Sequence, residues 1–239
     1  MAIYFFSDVH LGTTDKGQEK IKLEKLFSLF DLIRVDSQNK IYILGDLFDF
    51  WFEYKQAIPK EHLQVVFKLA AMIESGIEIH YISGNHDFWL GEFLEKEVGL
   101  TIHRDYYETT EDSQRLFMIH GDGLSPGDWK YRILRRILRN KVNIWLYQKI
   151  PCDIGIPFAK FVSRSSALHS EGSINKFAKD YEKYAEDKLK NGYDAVLIGH
   201  THYPQRFEYS DGIYLNTGDM MFNFSYAKLE NGNLTLEYM

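Results

Sequence analysis

The chain has 239 residues, 45% hydrophobic and 15% aromatic, with a formal net charge of −6. That composition supports one domain with a sizeable core and excludes a disordered chain. The single cysteine, Cys152, excludes an internal disulfide and fits a reducing compartment, and no apolar run approaches the ~20 residues of a membrane span.

Ile3–Phe6 predicts a first buried strand, and Asp8-Val9-His10 follows it. No secretory signal is visible ahead of that strand, so a cytoplasmic protein is expected. Leu23, Leu26, Phe27, Phe30 and Ile33 recur at helical spacing. Ile41–Leu44 predicts a second strand, followed by Gly45-Asp46-Leu47-Phe48-Asp49. Leu63, Val66, Phe67, Ala70 and Ile73 predict the core face of another helix. Ile77–Ser83 and Leu116–Ile119 predict strands that run into Gly84-Asn85-His86-Asp87 and His120-Gly121-Asp122. Residues 123–190 show no strand pattern and read as a helical insertion, or lid. Within it, Lys130–Lys149 reads as one helix, and Ile174, Phe177, Ala178, Tyr181, Tyr184 and Ala185 mark a second. Ala195–Ile198 predicts a strand leading to Gly199-His200-Thr201-His202. Ile213–Leu215 then precedes Asn216-Thr217-Gly218-Asp219. A closing hairpin pairs Phe224–Leu229 with Leu234–Tyr238 through Asn231-Gly232. Strand–helix alternation argues for an α/β fold of residues 1–239. The antiparallel tail points to mixed sheets or a two-sheet sandwich.

Five polar blocks thus sit beyond five strand ends, where α/β folds bind ligands. Asp8 and His10 are two residues apart, and strand alternation sends such a pair to one side. Alone, that pair reads equally as a solvated Asp and a surface His. Asp46 follows a glycine, and its carboxylate can bridge two ions. Asp49 can orient a nearby histidine or cap a helix. Asn85 offers a neutral oxygen, and His86 projects beside it as an acid for a leaving oxygen. His120, His200 and His202 add three imidazoles. His62, His80, His103 and His169 have no motif around them and are expected to be structural. Asp8, His10, Asp46, Asn85, His120, His200 and His202 together supply ligands for two ions. Mixed imidazole, carboxylate and amide donors fit Mn²⁺, Fe²⁺ or Zn²⁺, with Mn²⁺ the first choice. The absence of a cysteine ligand disfavours structural zinc. Two adjacent ions of this kind serve hydrolysis at phosphorus.

The ordered set Asp-x-His, Gly-Asp-x-x-Asp, Gly-Asn-His-Asp, His-Gly-Asp and Gly-His-x-His resembles the calcineurin-like metallophosphoesterase superfamily. That resemblance implies an α/β sandwich of two mixed β-sheets flanked by helices. It implies one ion on Asp8, His10, Asp46 and His202. A second would sit on Asp46, Asn85, His120 and His200, with Asp46 bridging. His86 matches the family's histidine beside the site, paired with Asp49, and Asn85 and His86 would stabilise the reacting phosphate.

Charge is segregated. Between Trp129 and Ser165 there are nine Lys/Arg and one acid, Asp153, whereas the remainder carries 19 basic and 33 acidic residues, or −14. A basic segment of this kind meets an anion. A long nucleic acid is disfavoured by the acidic remainder. Arg132, Arg135, Arg136 and Arg139 fall on one side of the expected helix, with Ile133, Leu134, Ile137 and Leu138 on the other. Pro151 and Pro157 break the apolar stretch that follows. Such a segment lies at a membrane interface, walls an acyl-chain pocket while its arginines take phosphates, or packs as a cap with a solvated basic face.

The blocks Gly45–Trp51, Gly84–Trp89 and His120–Leu124 are further similar to UDP-2,3-diacylglucosamine pyrophosphohydrolases of lipid A synthesis. In that subgroup a helical insertion after the His-Gly-Asp block covers the acyl chains, and the best-known members carry Arg where this chain has His86. The resemblance implies hydrolysis of UDP-2,3-diacylglucosamine to UMP and 2,3-diacylglucosamine 1-phosphate, at the cytoplasmic face of an inner membrane. A soluble phosphoester or nucleotide is the alternative substrate. Asp128 and Tyr131 occupy matching places for substrate binding. Arg132, Arg136, Asn85, His86 and His200 are the other expected substrate contacts. No obligate protein partner is evident.

Overall fold

The computed structural model describes residues 1–167 and 174–239, with side chains outside 160–177. His169 lies outside the described residues. Among the described residues, eleven strands form two mixed sheets. The first is ordered β11 (Asn233–Tyr238), β10 (Ser225–Glu230), β1 (Ile3–Phe6), β2 (Lys40–Ile43), β3 (Glu78–Ile82), β4 (Thr101–His103). The second is ordered β5 (Tyr106–Glu111), β6 (Gln114–Ile119), β7 (Ala195–Ile198), β9 (Gly212–Asn216), β8 (Gln205–Tyr209). β1, β2, β3 and β4 run parallel, as do β6, β7 and β9. Their carboxyl ends therefore gather at one edge of the sandwich.

Strand alternation builds the layers. Ile3 and Phe5 of β1 face the second sheet, packing with Leu44, Leu116, Leu197 and Leu215. Tyr4 and Phe6 face outward, under α1 (Lys16–Ile33) and α2 (Leu63–Glu74). On β7, Ala195 and Leu197 point between the sheets, while Val196 and Ile198 pack under α7 (Ile174–Leu189). The result is helices, sheet, sheet, helix. A short helix, α3 (Phe93–Lys96), precedes β4.

Three expectations need correction. The buried face of α2 is Val65, Val66, Leu69 and Met72, and Phe67 is 65% exposed. This helix is apolar on most sides, so periodicity fits two stripes and packing against the sheet selects one. Lys130–Lys149 is two helices, α4 (Trp129–Leu138) and α5 (Lys141–Tyr147). Asn140 breaks them, its side chain capping α5 at Val142 N (2.8 Å). Lastly, the end of the 123–190 segment is no peripheral insertion: Tyr181, Ala185 and Leu189 of α7 are buried on the second sheet. Among the described residues, α4, α5 and α6 (Cys152–Ala167) lie between β6 and α7 and join neither sheet.

Candidate metal centre

All five polar blocks begin within two residues of the ends of β1, β2, β3, β6 and β7. Five of the expected ligands adopt left-handed backbone: Asp8 (φ 54°), His10 (46°), Asp46 (53°), His200 (66°) and His202 (57°). Such angles are uncommon outside glycine, and clusters of them mark functional loops. The i, i+2 pairs therefore converge through left-handed turns past the strands, and not through strand alternation as the sequence suggested. Backbone bonds hold the first two turns together: Asp8 N donates to Gly45 O (3.1 Å), and Val9 N and His10 N to Asp46 O (3.0 Å each). Gly84 is required by close approach, since a Cβ there would overlap Asp46 Oδ1.

The side chains form two clusters. Asp8, His10 and His202 bring their ligand atoms together, as do Asp46, His120 and His200, each set within 4.8 Å. Asp46 lies between them, with Oδ2 3.6 Å from His10 Nε2 and 3.3 Å from His120 Nε2. Its other oxygen accepts the His86 backbone N–H at 2.9 Å. Asn85 Oδ1 is 3.0 Å from His120 Nε2. The seven expected ligands thus occupy one contiguous site.

Its donor chemistry fits cations. His120 Nδ1–H donates to Leu44 O at 2.7 Å, which leaves Nε2 as a lone-pair donor facing Asp46, Asn85 and His200. Asp8 Oδ2 accepts from His200 N at 2.8 Å, but buried Asp8 Oδ1 accepts no hydrogen bond from any described residue. It lies 3.5 Å from His10 Nε2 and 3.4 Å from His202 Nε2, the place a cation would fill. Imidazole nitrogens face one another at 3.2 Å in both clusters, His10 with His202 and His120 with His200. Burial disfavours a charged His120, yet Asp46 outweighs it and raises the group to about 10. A divalent ion would supply that positive charge instead of a proton.

His86 belongs to a different pair. Its Nδ1–H lies 3.2 Å from Asp49 Oδ1 and 3.1 Å from Asp49 O, and its ring meets His10 edge-on at 4.6 Å. Burial works against the imidazolium, but Asp46 and Asp49 outweigh it and raise His86 to about 9. Burial likewise opposes ionised Asp49, yet bonds from His86 and Thr13 hold it at about 2. The pair is a charged acid beside the two clusters.

The lid begins directly after the fourth block. Arg132, Arg135 and Arg139 of α4 and its C-cap turn toward the sandwich, while Ile133, Leu134 and Ile137 are exposed. Arg132 donates to the carbonyls of Gly123, Ser125 and Pro126, and so fastens the start of α4. Arg135 Nε lies 3.3 Å from the buried Asp122 carboxylate, which also accepts from Tyr131 Oη at 2.7 Å. Tyr131 thus holds the block's own Asp122. Asp128 lies at the turn before α4, where burial raises its carboxyl, and Arg136 is exposed. Trp89 Nε1 donates to Leu138 O, and Ile144, Tyr147 and Ile156 pack on Phe50, Phe52 and Trp89. Of the twenty exposed large hydrophobic residues among those described, ten lie between Trp129 and Phe158.

Residues outside the expected set also build the site. Lys22 is fully buried and donates to Val9 O and His10 O. Asp87 accepts from Gly84 N and Phe48 N, joining the second and third blocks. Asn216 Nδ2 donates to Gly199 O at 2.9 Å and supports the last block. Asp87 and Asn216 stand in motifs legible in sequence, whereas Lys22 carries no such signal.

A model of the calcineurin-like phosphoesterase family matches residues 1–204. The chain belongs to this family. It is 30% identical to a UDP-2,3-diacylglucosamine hydrolase of Porphyromonas gingivalis, over 99% of this chain and 97% of that one. It is 28% identical to a protein of the same name from Edwardsiella ictaluri, over 89% and 81%. Among solved structures, a novel archaeal phosphodiesterase aligns with TM-score 0.51 and 15% identity over both full chains. Yfce, a phosphoesterase from E. coli, aligns with TM-score 0.51 and 18% identity over 100% and 93%. These two support the fold alone, and they agree with the two mixed sheets.

Proposed function

We propose that the chain hydrolyses the pyrophosphate of UDP-2,3-diacylglucosamine, releasing UMP and 2,3-diacylglucosamine 1-phosphate. The observation that carries this reading is the pairing of two cation-ready clusters with a helical segment that exposes large apolar side chains, in a chain similar to the Porphyromonas enzyme over 99% of its length. Asp8, His10, Asp46 and His202 would hold one divalent ion, and Asp46, Asn85, His120 and His200 the other. The nitrogen and oxygen donors favour Mn²⁺, with Fe²⁺ or Zn²⁺ also compatible. Bound there, the pair supplies Lewis acidity and a nucleophile at neutral pH.

The chain's own residues do the rest. His86, held as the imidazolium beside Asp46 and Asp49, would donate a proton toward the phosphate and then to the leaving oxygen. The Asn85 amide stabilises charge on the non-bridging oxygens. Water adds, one P–O bond of the anhydride breaks, and each product keeps one phosphate.

No helix among the described residues is long and apolar enough to cross a membrane. The lid's outer face instead combines Ile133, Leu134, Ile137 and Trp145 with exposed Lys130, Arg136, Lys141 and Lys149. That mixture suits an anionic interface, where each cation near the surface contributes roughly 1 kcal/mol. This mixture supports the reading of peripheral association with the cytoplasmic face of an inner membrane.

A detergent-dispersed assay with Mn²⁺ tests the reading. Wild type should release UMP, and His86→Ala should lose about 10²–10⁴-fold in rate. Turnover of soluble dinucleotides without cleavage of the lipid substrate would overturn it.

A further inference from the structure

We propose that Lys22 and Arg139 are positioning residues, each bracing one of the two ion sites from behind. This rests on the ligand assignment above.

Lys22 lies on the core face of α1, alongside Leu26, Leu29, Phe30 and Ile33, where a hydrocarbon side chain is the ordinary occupant. Its ammonium has three N–H donors and three acceptors: Val9 O (3.2 Å), His10 O (2.7 Å) and Glu19 Oε2 (3.0 Å). Glu19 in turn accepts from Gly12 N and Thr14 Oγ1, both at 2.8 Å. The carbonyls held by Lys22 belong to the left-handed turn that presents Asp8 and His10. A buried lysine is tolerated only with full pairing. Here the pairing falls on the loop of the first site.

Arg139 does the same for the second. Its Nη2 donates to Gly84 O at 3.1 Å, in the peptide that leads into Asn85. Its Nη1 donates to Arg104 O (3.0 Å) and Asp105 Oδ1 (3.2 Å). The guanidinium also lies 3.6 Å from Asp122 Oδ2, two residues after His120, and over the Phe88 ring. It thus ties together the two loops that carry Asn85 and His120. Neither cation touches a ligand side chain. Lys22 acts through the carbonyls of the first site's loop, and Arg139 through the Gly84 carbonyl and the Asp122 carboxylate beside the second.

The consequence is a double dissociation. Lys22→Met and Arg139→Met keep side-chain volume and remove the donors. Mn²⁺ titration and anomalous diffraction at the manganese edge then report which ion remains. Lys22→Met should weaken the ion at His10 and His202 by at least about tenfold and keep the one at His120 and His200, the size seen when supports behind metal ligands are removed. Arg139→Met should do the reverse. Glu19→Gln offers a milder perturbation of the first brace if Lys22→Met does not fold, with a smaller loss at the same ion. Trp89→Phe removes another lid attachment and should keep both ions. Loss of both ions together in either Met variant, retention of both, or loss of the second ion in Trp89→Phe would overturn the proposal. Failure of wild type to bind two ions would overturn the ligand assignment instead.

Discussion

The loops beyond the parallel strands bury charge, while the helices beside them expose hydrocarbon. Asp8, Asp46, Asp49, Asp87, His120 and Asp122 are all buried, and Asp8 Oδ1 points at imidazole nitrogens and accepts no hydrogen bond from the described residues. In α4 the order is opposite: Arg135 and Arg139 face the fourth block, and Ile133, Leu134 and Ile137 face outward at 48–53% exposure. Both regions depart from the usual arrangement of apolar inside and polar outside. Under the proposed function, the difference assigns each region a role. Buried charge is tolerable where cations will neutralise it, and exposed hydrocarbon where an apolar surface will cover it.

The contrast can be broken from the charged side first. Asp46 is the group common to both clusters, so Asp46→Asn should abolish tight binding of two ions and lower turnover of bis(p-nitrophenyl) phosphate by about a thousandfold or more. Metal analysis and initial rates check this, and a variant that keeps both ions would separate the clusters that the geometry joins. From the apolar side, Ile137→Glu with Trp145→Glu should leave metal content and soluble-ester turnover unchanged. Turnover of the diacylated substrate should fall by about tenfold or more, given roughly 1.5–3 kcal/mol for each large apolar side chain that loses its cover.

A smaller effect sharpens the comparison by testing half-buried histidines outside the site. His80 and His103 stack at 5.3 Å, with Nδ1 and Nε2 3.1 Å apart. Burial lowers both, His103 to about 4, and His80 adds to the lowering of His103. Unfolded, each titrates near 6.5. The unfolded chain therefore binds more protons as pH falls through 6.5, and stability drops between 6.5 and about 4 before this contribution levels off. Urea midpoints at pH 7 and 4.5 should differ less in His103→Gln than in wild type.

How much was legible follows the same divide. Central strands announced themselves, because β1, β2 and β7 are buried on both faces and read as continuous apolar runs. The polar blocks after them stood out by contrast. The strands that went unread, β4, β5 and β8, lie at sheet edges, where sequences such as Tyr-Tyr-Glu-Thr-Thr-Glu and Gln-Arg-Phe-Glu-Tyr are exposed. The facing of α4 was legible as amphipathic but not as inverted, since periodicity separates two faces without saying which is covered. Lys22 was invisible for a related reason. Nothing in Lys-Ile-Lys-Leu-Glu-Lys distinguishes it from Lys20, which is 79% exposed at its side chain. Only the fold places its ammonium under the carbonyls of Val9 and His10.

The most direct test of the central claim compares two substrates that share the pyrophosphate and differ in acyl chains. Release of UMP by Mn²⁺-loaded wild type should be faster by about a hundredfold or more from detergent-dispersed UDP-2,3-diacylglucosamine than from soluble UDP-N-acetylglucosamine, as burial of even a few methylenes at ~0.8 kcal/mol each would give. Equal rates, or a preference for the soluble sugar, would contradict the account.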